Sequence, residues 1–208
     1  MPTLTTAQKT AIQRIVSPER ARFDLEQRRA LSRDDGIRPP RLWPLTGRTI
    51  ADGVVWPDSE QEIVEVVQFA RAEGIPLVAR GGGTAAAGGA VPTDGGLVVD
   101  LGRLSGVVEI GDDGDECAPG EHLVDVCAGT LWSSVMFALD RHGLAPRLYP
   151  TSAPVSTVGG WLAQGGAGVG SFAFGWINQN VVSIRLADSS GRVYRLSGTE
   201  LDLSLIHI

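Results

Sequence analysis

The sequence has few of the residues that build metal centres and disulfide frameworks. Its 208 residues include 2 cysteines and 3 histidines. Cys117 and Cys127 lie ten positions apart, and the spacing matches no common zinc-ligand pattern. We therefore expect no metal site and no disulfide framework.

Long apolar runs and basic runs are also missing. No apolar run reaches the roughly 18 residues of a membrane-spanning helix, so no transmembrane segment is expected. The polar N-terminus has no signal-peptide core, which makes a cytoplasmic location the default, with peripheral docking on the inner face of a membrane left open. The net charge is −6 without any Lys/Arg run, so a nucleic-acid partner is not expected.

The coarse pattern predicts helices and strands in both halves of the chain. A helix begins after the N-cap Ser59, with Glu62 completing a capping-box pattern, and ends at Gly74. Apolar residues on either side of it predict a strand–helix–strand unit. Further helices are predicted up to Pro18, over residues 19–31 and after Thr130. Further strands are predicted at 97–101, 107–110, 123–127, 181–186 and 192–196.

Glycine is in excess, with 27 residues that concentrate in two clusters. The first cluster directly follows the apolar run 75–79 and contains Gly81, Gly82, Gly83, Thr84, Gly88 and Gly89. Backbone N–H groups can converge on a diphosphate only where bulky side chains are missing, so this loop favours a phosphate-bearing ligand. A flexible glycine hairpin stays open as an alternative.

This loop fits neither of the two commonest nucleotide-binding patterns. The Walker pattern needs a Gly-Lys-Ser/Thr sequence, and no lysine follows Gly83. The dinucleotide fingerprint needs a helix directly after its glycines, whereas residues 91–94 do not predict one.

The second cluster runs from residue 150 to residue 175 and is rich in glycine and hydroxyl side chains. Thr157 is expected to cap a short helix that begins at Val158, and the N-terminus of that helix would favour an anion. Large apolar side chains, among them Trp161, Phe172, Phe174 and Trp176, argue against disorder here.

Together the two clusters resemble the FAD-binding domain of the vanillyl-alcohol oxidase/p-cresol methylhydroxylase superfamily. Residues 53–198 are most similar to the glycolate oxidase and D-lactate dehydrogenase type. The matching residues are Pro76, Arg80 to Thr84, Gly88 to Pro92, Val99 to Leu101, Ala128, Gly129, Pro150, Thr157 to Gly160, Ala163 and Gly168. Trp161 replaces a usual polar residue, and Gly165 stands where asparagine is frequent.

The resemblance implies an α+β fold of two α+β subdomains with an extended FAD between them. The polar, arginine-rich pattern of residues 1–45 predicts an N-terminal helical segment. The resemblance implies a FAD-binding domain over 46–200, with subdomains of about 46–112 and 120–200. Residues 203–208 are expected to be a non-native tail, since one back-translation of them matches a transposon-end adapter used in sequencing libraries.

The resemblance also assigns binding roles. Arg80, Gly81, Gly82, Gly83 and Thr84, with Gly88 and Gly89, would hold the pyrophosphate. Ile184 would lie near the adenine end. The flavin side would be lined by Pro150, Thr151, Ser152, Thr157, Val158, Gly159, Gly160, Ala163 and Gly168. Positions 81–90 contain no histidine, so FAD is expected to bind non-covalently at this loop.

The implied activity is a flavin-dependent oxidoreductase that oxidises a small 2-hydroxy acid. A cap domain missing from this sequence would bind the organic acid, and electrons would leave to an acceptor protein or a quinone. No catalytic residue is assigned, and the chain itself is expected to be inactive. A non-catalytic flavin-binding fragment and an oxidase of alcohols or sugar lactones stay open as alternatives.

Overall fold

The computed structural model describes residues 4–36, 49–111 and 120–197. Cys117, the expected boundary at residues 45 and 46 and the suspected tail 203–208 lie outside these ranges. The described residues form two compact units. The first contains the residues up to Arg103 together with 187–193, and the second contains residues 104–186 together with 194–197. The subdomain boundaries expected from the sequence stay predictions.

The first unit is built on a four-stranded sheet with helices packed against it. In chain order its elements are α1 (Thr6–Val16), a 3-10 turn (Pro18–Arg20), β1 (Ala21–Arg22), α2 (Leu25–Leu31), β2 (Gly53–Val55), α3 (Glu60–Glu73), β3 (Leu77–Arg80) and β4 (Leu97–Asp100). The strand order is β1-β2-β4-β3, in which β1 is antiparallel to β2 and the other neighbours are parallel. All four residues of β4 are buried, as its central position requires.

The predicted strand–helix–strand unit is confirmed as β2, α3 and β3. Ser59 Oγ accepts the Glu62 N–H at 3.2 Å and begins α3. Gly74 ends the helix in the left-handed conformation, and the Ile75 N–H still bonds back to the Ala70 carbonyl at 2.8 Å. The following strand therefore begins at Leu77, two residues later than the apolar run suggested.

Two details predicted from the sequence are wrong. The helix predicted over residues 19–31 is interrupted, because Ala21 and Arg22 pair with Val55 and Val54 as strand β1. The capping box is also incomplete: the Glu62 carboxylate accepts the Asp58 N–H at 3.0 Å and bonds to Arg20 instead of closing on Ser59. Both departures arise from partners that are distant in sequence.

The second unit combines two small sheets with short helices. Its elements are β5 (Val107–Gly111), β6 (Leu123–Val126), α4 (Trp132–Asp140), α5 (Val158–Ala163), α6 (Ser171–Phe174), a 3-10 turn (Ile177–Asn180), β7 (Ser183–Ala187) and β8 (Val193–Ser197). Its core contains Trp132 and Trp161, whose rings meet edge to face with centroids 5.2 Å apart. Both units mix helices and strands, as the expected α+β class requires.

Within the described ranges, no helix is long and apolar enough to cross a membrane. The same ranges contain no group of three or more His, Cys, Asp or Glu side chains placed to hold a metal ion. Cys127 is a free thiol.

Candidate functional site

The first glycine loop leaves the sheet at the carboxyl end of β3. Arg80, the last residue of β3, lies in register with Asp100, the last residue of the neighbouring parallel strand β4. The loop contains no helix, as predicted. Loops at the carboxyl ends of parallel strands are the usual place for ligands in such sheets.

Three consecutive N–H groups of this loop are available to a ligand. The backbone N–H groups of Gly81, Gly82 and Gly83 make no hydrogen bond to any described residue. Gly83 has a φ of +68°, and Gly82 is exposed. A β-carbon added at Gly89 would meet no atom within 4 Å, so the space beside the loop is open. Successive backbone N–H donors without internal acceptors can form an anion-binding concavity.

Arg80 supplies positive charge at the base of the loop. Its Nε lies 3.6 Å from Asp100 Oδ2, and its Nη1 donates to the Arg33 carbonyl at 2.6 Å. Burial lowers the pKa of Arg80, and Asp100 opposes that shift. The guanidinium stays charged at neutral pH, since its ordinary pKa is far higher.

Asp100 is the partner of that charge. Burial raises the pKa of Asp100, and hydrogen bonding from the Gly102 N–H (2.9 Å) and the charge of Arg80 lower it again. A raised carboxyl pKa contributes stability at acid pH that is lost as the pH rises through the folded-state value. Burial of the charged Asp100 carboxylate therefore lowers the free energy of unfolding at neutral pH, while the side chain positions Arg80.

Gly88, an expected pyrophosphate donor, already has a partner. Its N–H donates to Asp34 Oδ2 at 2.7 Å, and its φ is +85°. The contact joins two residues 54 positions apart and was not predicted from the sequence. No sequence signal marks it, because the two residues meet only in the folded chain.

The second cluster contains the predicted short helix. Thr157 is the N-cap of α5, and its Oγ1 accepts the Gly160 N–H at 3.3 Å. The Val158 N–H donates to the Thr130 carbonyl at 2.9 Å, and the Gly159 N–H donates to the Ala128 carbonyl at 2.8 Å. These three donors therefore have acceptors within the unit itself, and the anion expected at this N-terminus stays a prediction.

Other predicted residues of this cluster serve internal packing. A β-carbon at Gly159 would lie 2.8 Å from Ala128 Cβ, and one at Gly168 would collide with the Tyr149 carbonyl. Ser152 Oγ and Ser156 Oγ share a 2.6 Å hydrogen bond. Of the remaining predicted residues, Thr151 and Ala163 are exposed, Gly160 and Ile184 are half-buried, and Pro150 is buried.

Two buried residues near this cluster were missed. Thr130 Oγ1 accepts the Gly106 N–H at 2.9 Å and donates to the Cys127 carbonyl at 2.7 Å, which ties α4 to the segment before β5. Trp132 Nε1 is buried and has no hydrogen-bond partner among the described residues. From the sequence, Thr130 was predicted only to precede a helix, and Trp132 was assigned no role.

Comparison with known families shows the family to which the chain belongs. A profile of the FAD binding domain family matches residues 51–197. The chain belongs to the FAD binding domain family. This confirms the resemblance to FAD-linked oxidases.

Individual relatives of this FAD-binding chain are similar over most of its length. D-lactate dehydrogenase of Archaeoglobus fulgidus is 31% identical over 175 residues, which are 82% of this chain and 37% of that protein. Glycolate oxidase subunit GlcD of Bacillus subtilis (strain 168) is 25% identical over 151 residues, 73% of this chain and 31% of that subunit. The chain thus spans about a third of the length of these relatives.

A solved structure shows the same fold. A structure of alkyldihydroxyacetonephosphate synthase superposes with a TM-score of 0.81 at 21% identity, covering 98% of this chain and 40% of that one. At this identity the likeness establishes the fold only.

The first loop fits the diphosphate of FAD. It offers three N–H groups that bond to no described residue, open space at Gly89 and a charged guanidinium at its base. In the second cluster, the first N–H groups of α5 are occupied within the unit, and the part that these residues take in FAD binding stays a prediction. The predicted first-loop residues lie in the first unit, and residues 150–168 and Ile184 lie in the second.

Proposed function

We propose that this FAD binding domain is part of a flavin-dependent oxidoreductase and holds FAD non-covalently, with the diphosphate on residues 80–84. The observation that carries the proposal is the run of three N–H groups beside Arg80 that bond to no residue in the described part of the chain. Non-covalent binding at this loop is supported by the lack of histidine at positions 81–90.

We propose a small 2-hydroxy acid as the substrate of the full protein. D-lactate and glycolate, which two relatives carry in their names, are both 2-hydroxy acids. A bound FAD would supply the acceptor for the hydride that such an acid loses from C2, and the hydroxyl group would lose its proton as the 2-oxo acid forms. The residues of this chain bind and orient the cofactor.

Substrate binding is proposed to lie in a cap domain outside this sequence, since the chain spans about a third of its relatives. Electrons would then pass to an acceptor protein or a quinone. The chain as printed should bind FAD but turn over very slowly, because rate acceleration requires a site that stabilises the transition state.

Visible absorption after incubation with FAD and desalting tests cofactor binding. The purified chain should keep flavin bands, and Gly82→Leu should lose them because the side chain would fill the space over the N–H groups. Gly111→Leu is the matched control, since it also lacks a positive φ and an added β-carbon there would lie 3.8 Å from Glu109 Oε1. A folded wild-type chain without flavin bands would refute the proposal.

Anaerobic bleaching of the flavin tests the substrate class in the full-length gene product. D-lactate or glycolate should bleach the bands, whereas simple alcohols and sugar lactones should not. Bleaching by an alcohol or a lactone alone would move the protein to another substrate class. Retention of FAD without bleaching by any of these compounds would favour a non-catalytic flavin-binding protein.

A further inference from the structure

The four consecutive residues 33–36 lie against the glycine loop. The Arg33 carbonyl accepts from Arg80 Nη1 at 2.6 Å, and Asp34 Oδ2 accepts the Gly88 N–H at 2.7 Å. The Asp35 N–H donates to the Ala85 carbonyl at 3.0 Å. We call residues 33–36 the loop clamp.

Gly36 completes the clamp by close approach. A β-carbon on Gly36 would lie 2.5 Å from the Ala86 carbonyl oxygen, so only glycine lets the two backbones come this near. The Gly36 N–H in turn donates to Asp34 Oδ1 at 3.1 Å. Both carboxylate oxygens of Asp34 are therefore used, one to shape the clamp and one to hold the loop.

The clamp divides the glycine loop into two parts with different roles. The part from Ala85 to Gly88 is fixed by the clamp through hydrogen bonds and packing. The part from Gly81 to Gly83 has N–H groups without partners among the described residues. A glycine loop loses much conformational freedom on ordering, so fixing one part beforehand reduces the entropy that ligand binding must overcome.

We propose that Asp34 is a positioning residue for FAD, which sets the affinity for the cofactor by holding the glycine loop in its binding conformation. The proposal rests on the proposed function, in which this loop binds the diphosphate. Asp34 acts through the Gly88 N–H and does not itself touch the cofactor. A carboxylate beside a diphosphate would otherwise repel it, and here its charge is directed to two N–H groups.

Titration of the full chain with FAD, followed by flavin fluorescence, tests the proposal. Asp34→Ala should raise the Kd for FAD about tenfold, as expected for loss of a charge-assisted hydrogen bond. Asp34→Asn keeps one acceptor oxygen and should fall between the wild type and Asp34→Ala. Asp35→Ala is the matched control, because Asp35 contributes its backbone N–H and its carboxylate makes no hydrogen bond to a described residue.

Hydrogen exchange at the Gly88 N–H in the absence of FAD gives a second readout. Exchange should accelerate in Asp34→Ala and stay slow in Asp35→Ala, while urea unfolding verifies that both remain folded. If Asp34→Ala does not fold, Asp34→Asn and Gly36→Ala carry the same test, since the latter displaces the Ala86 carbonyl. Both should weaken FAD binding.

The outcomes separate the clamp from the proposed function. A wild-type chain that fails to bind FAD overturns the proposed function and the clamp's role with it. A wild-type chain that binds FAD, together with an unchanged Kd in Asp34→Ala, overturns the role of Asp34 alone. Equal losses in Asp34→Ala and Asp35→Ala would show a general charge effect and also overturn it.

Discussion

At the scale of single residues, the glycines that look alike in sequence do different work. Gly83 needs its positive φ and lies over the Arg80 guanidinium, where a β-carbon would collide. Gly159 needs its missing side chain to pack on Ala128. A β-carbon added at Gly89 would meet no atom within 4 Å, so this position leaves space for a ligand. Substitutions at these three positions should therefore have separable effects.

Gly83→Ala should destabilise the chain and weaken FAD binding. Adopting a φ of +68° costs about 1 kcal/mol for a non-glycine residue, and displacing Arg80 adds about 1–2 kcal/mol. Gly74→Ala is the control, with a φ of +64° and no atom within 4 Å of the added carbon. Urea unfolding of both variants measures the difference, and equal losses would argue against a role for the Arg80 contact.

Thr130→Val should destabilise the second unit by about 1–2 kcal/mol, because it removes the buried hydroxyl that accepts the Gly106 N–H and donates to the Cys127 carbonyl. Thr10→Val on α1 removes a hydroxyl that bonds to the Thr6 carbonyl at an exposed position, and should cost less than about 0.5 kcal/mol. Thermal unfolding followed by circular dichroism compares them. Similar losses would show that the buried hydroxyl network contributes little.

At the scale of elements, an ion pair joins the start of α3 to the edge of the sheet. Arg20 Nη2 donates to Glu62 Oε1 at 2.7 Å, its Nη1 bonds to Glu62 Oε2, and Asp58 Oδ1 lies 2.9 Å from Nη1. Both Arg20 and Glu62 side chains are less than a fifth exposed. The pair holds the residue before β1 against the first turn of α3, and it thereby fixes the position at which each of these elements begins.

This pair should make stability depend on pH in the acid range. Hydrogen bonds from Arg20 hold the pKa of Glu62 below its ordinary value of 4.5, so its contribution is present above that pH and is lost as the pH falls through the folded-state pKa. Glu62→Gln should lower the free energy of unfolding by about 1–2 kcal/mol at pH 7. This difference between the variant and the wild type should narrow below pH 4.5.

Urea unfolding across that pH range gives the measurement. Glu65→Gln on the same helix is the control, since the Glu65 carboxylate accepts a hydrogen bond at 2.8 Å from the Gln61 side chain at an exposed position. It should cost under about 0.5 kcal/mol. If the difference in unfolding free energy between Glu62→Gln and the wild type stays constant with pH, the role given to the Arg20–Glu62 pair is contradicted.

At the scale of the whole molecule, no single point in the chain separates the two units. The segment 187–193 belongs to the first unit although the strands beside it begin or end in the second. Within the first unit, Arg71 of α3 donates to the Ser189 carbonyl at 3.4 Å, and a β-carbon on Gly191 would lie 2.7 Å from Gln68 Cγ. Separate expression of the two units would therefore cut through packed structure.

Binding of FAD should stabilise the whole chain by mass action. At 100 times its Kd, a ligand that binds only the folded state adds about 2.7 kcal/mol to the free energy of unfolding. The melting temperature should therefore rise with FAD concentration. NAD, a dinucleotide without a flavin, serves as the control, and an equal rise with NAD would show that binding does not depend on the flavin.

The sequence determined much of the local structure. The ends of α3 followed from Ser59 and Gly74, the cap of α5 followed from Thr157, and the glycine loop after β3 was expected to lack a helix. These features depend on residues within one turn of each other. Over such short distances, side-chain caps and glycine conformations can be predicted from the sequence. The FAD binding domain family was likewise predicted from two motifs in order, and the match over residues 51–197 confirms it.

Only the tertiary structure decided which polar groups were free and which were occupied. Asp34 engages Gly88, Arg20 engages Glu62, and Ala128 and Thr130 occupy the first N–H groups of α5. Each of these pairs joins residues at least 28 positions apart. The sequence does not indicate whether a backbone N–H has a partner, because the residue type is the same in either case. Hydrogen-bond occupancy is a property of the folded chain, because buried polar groups take whichever partner the packing brings near.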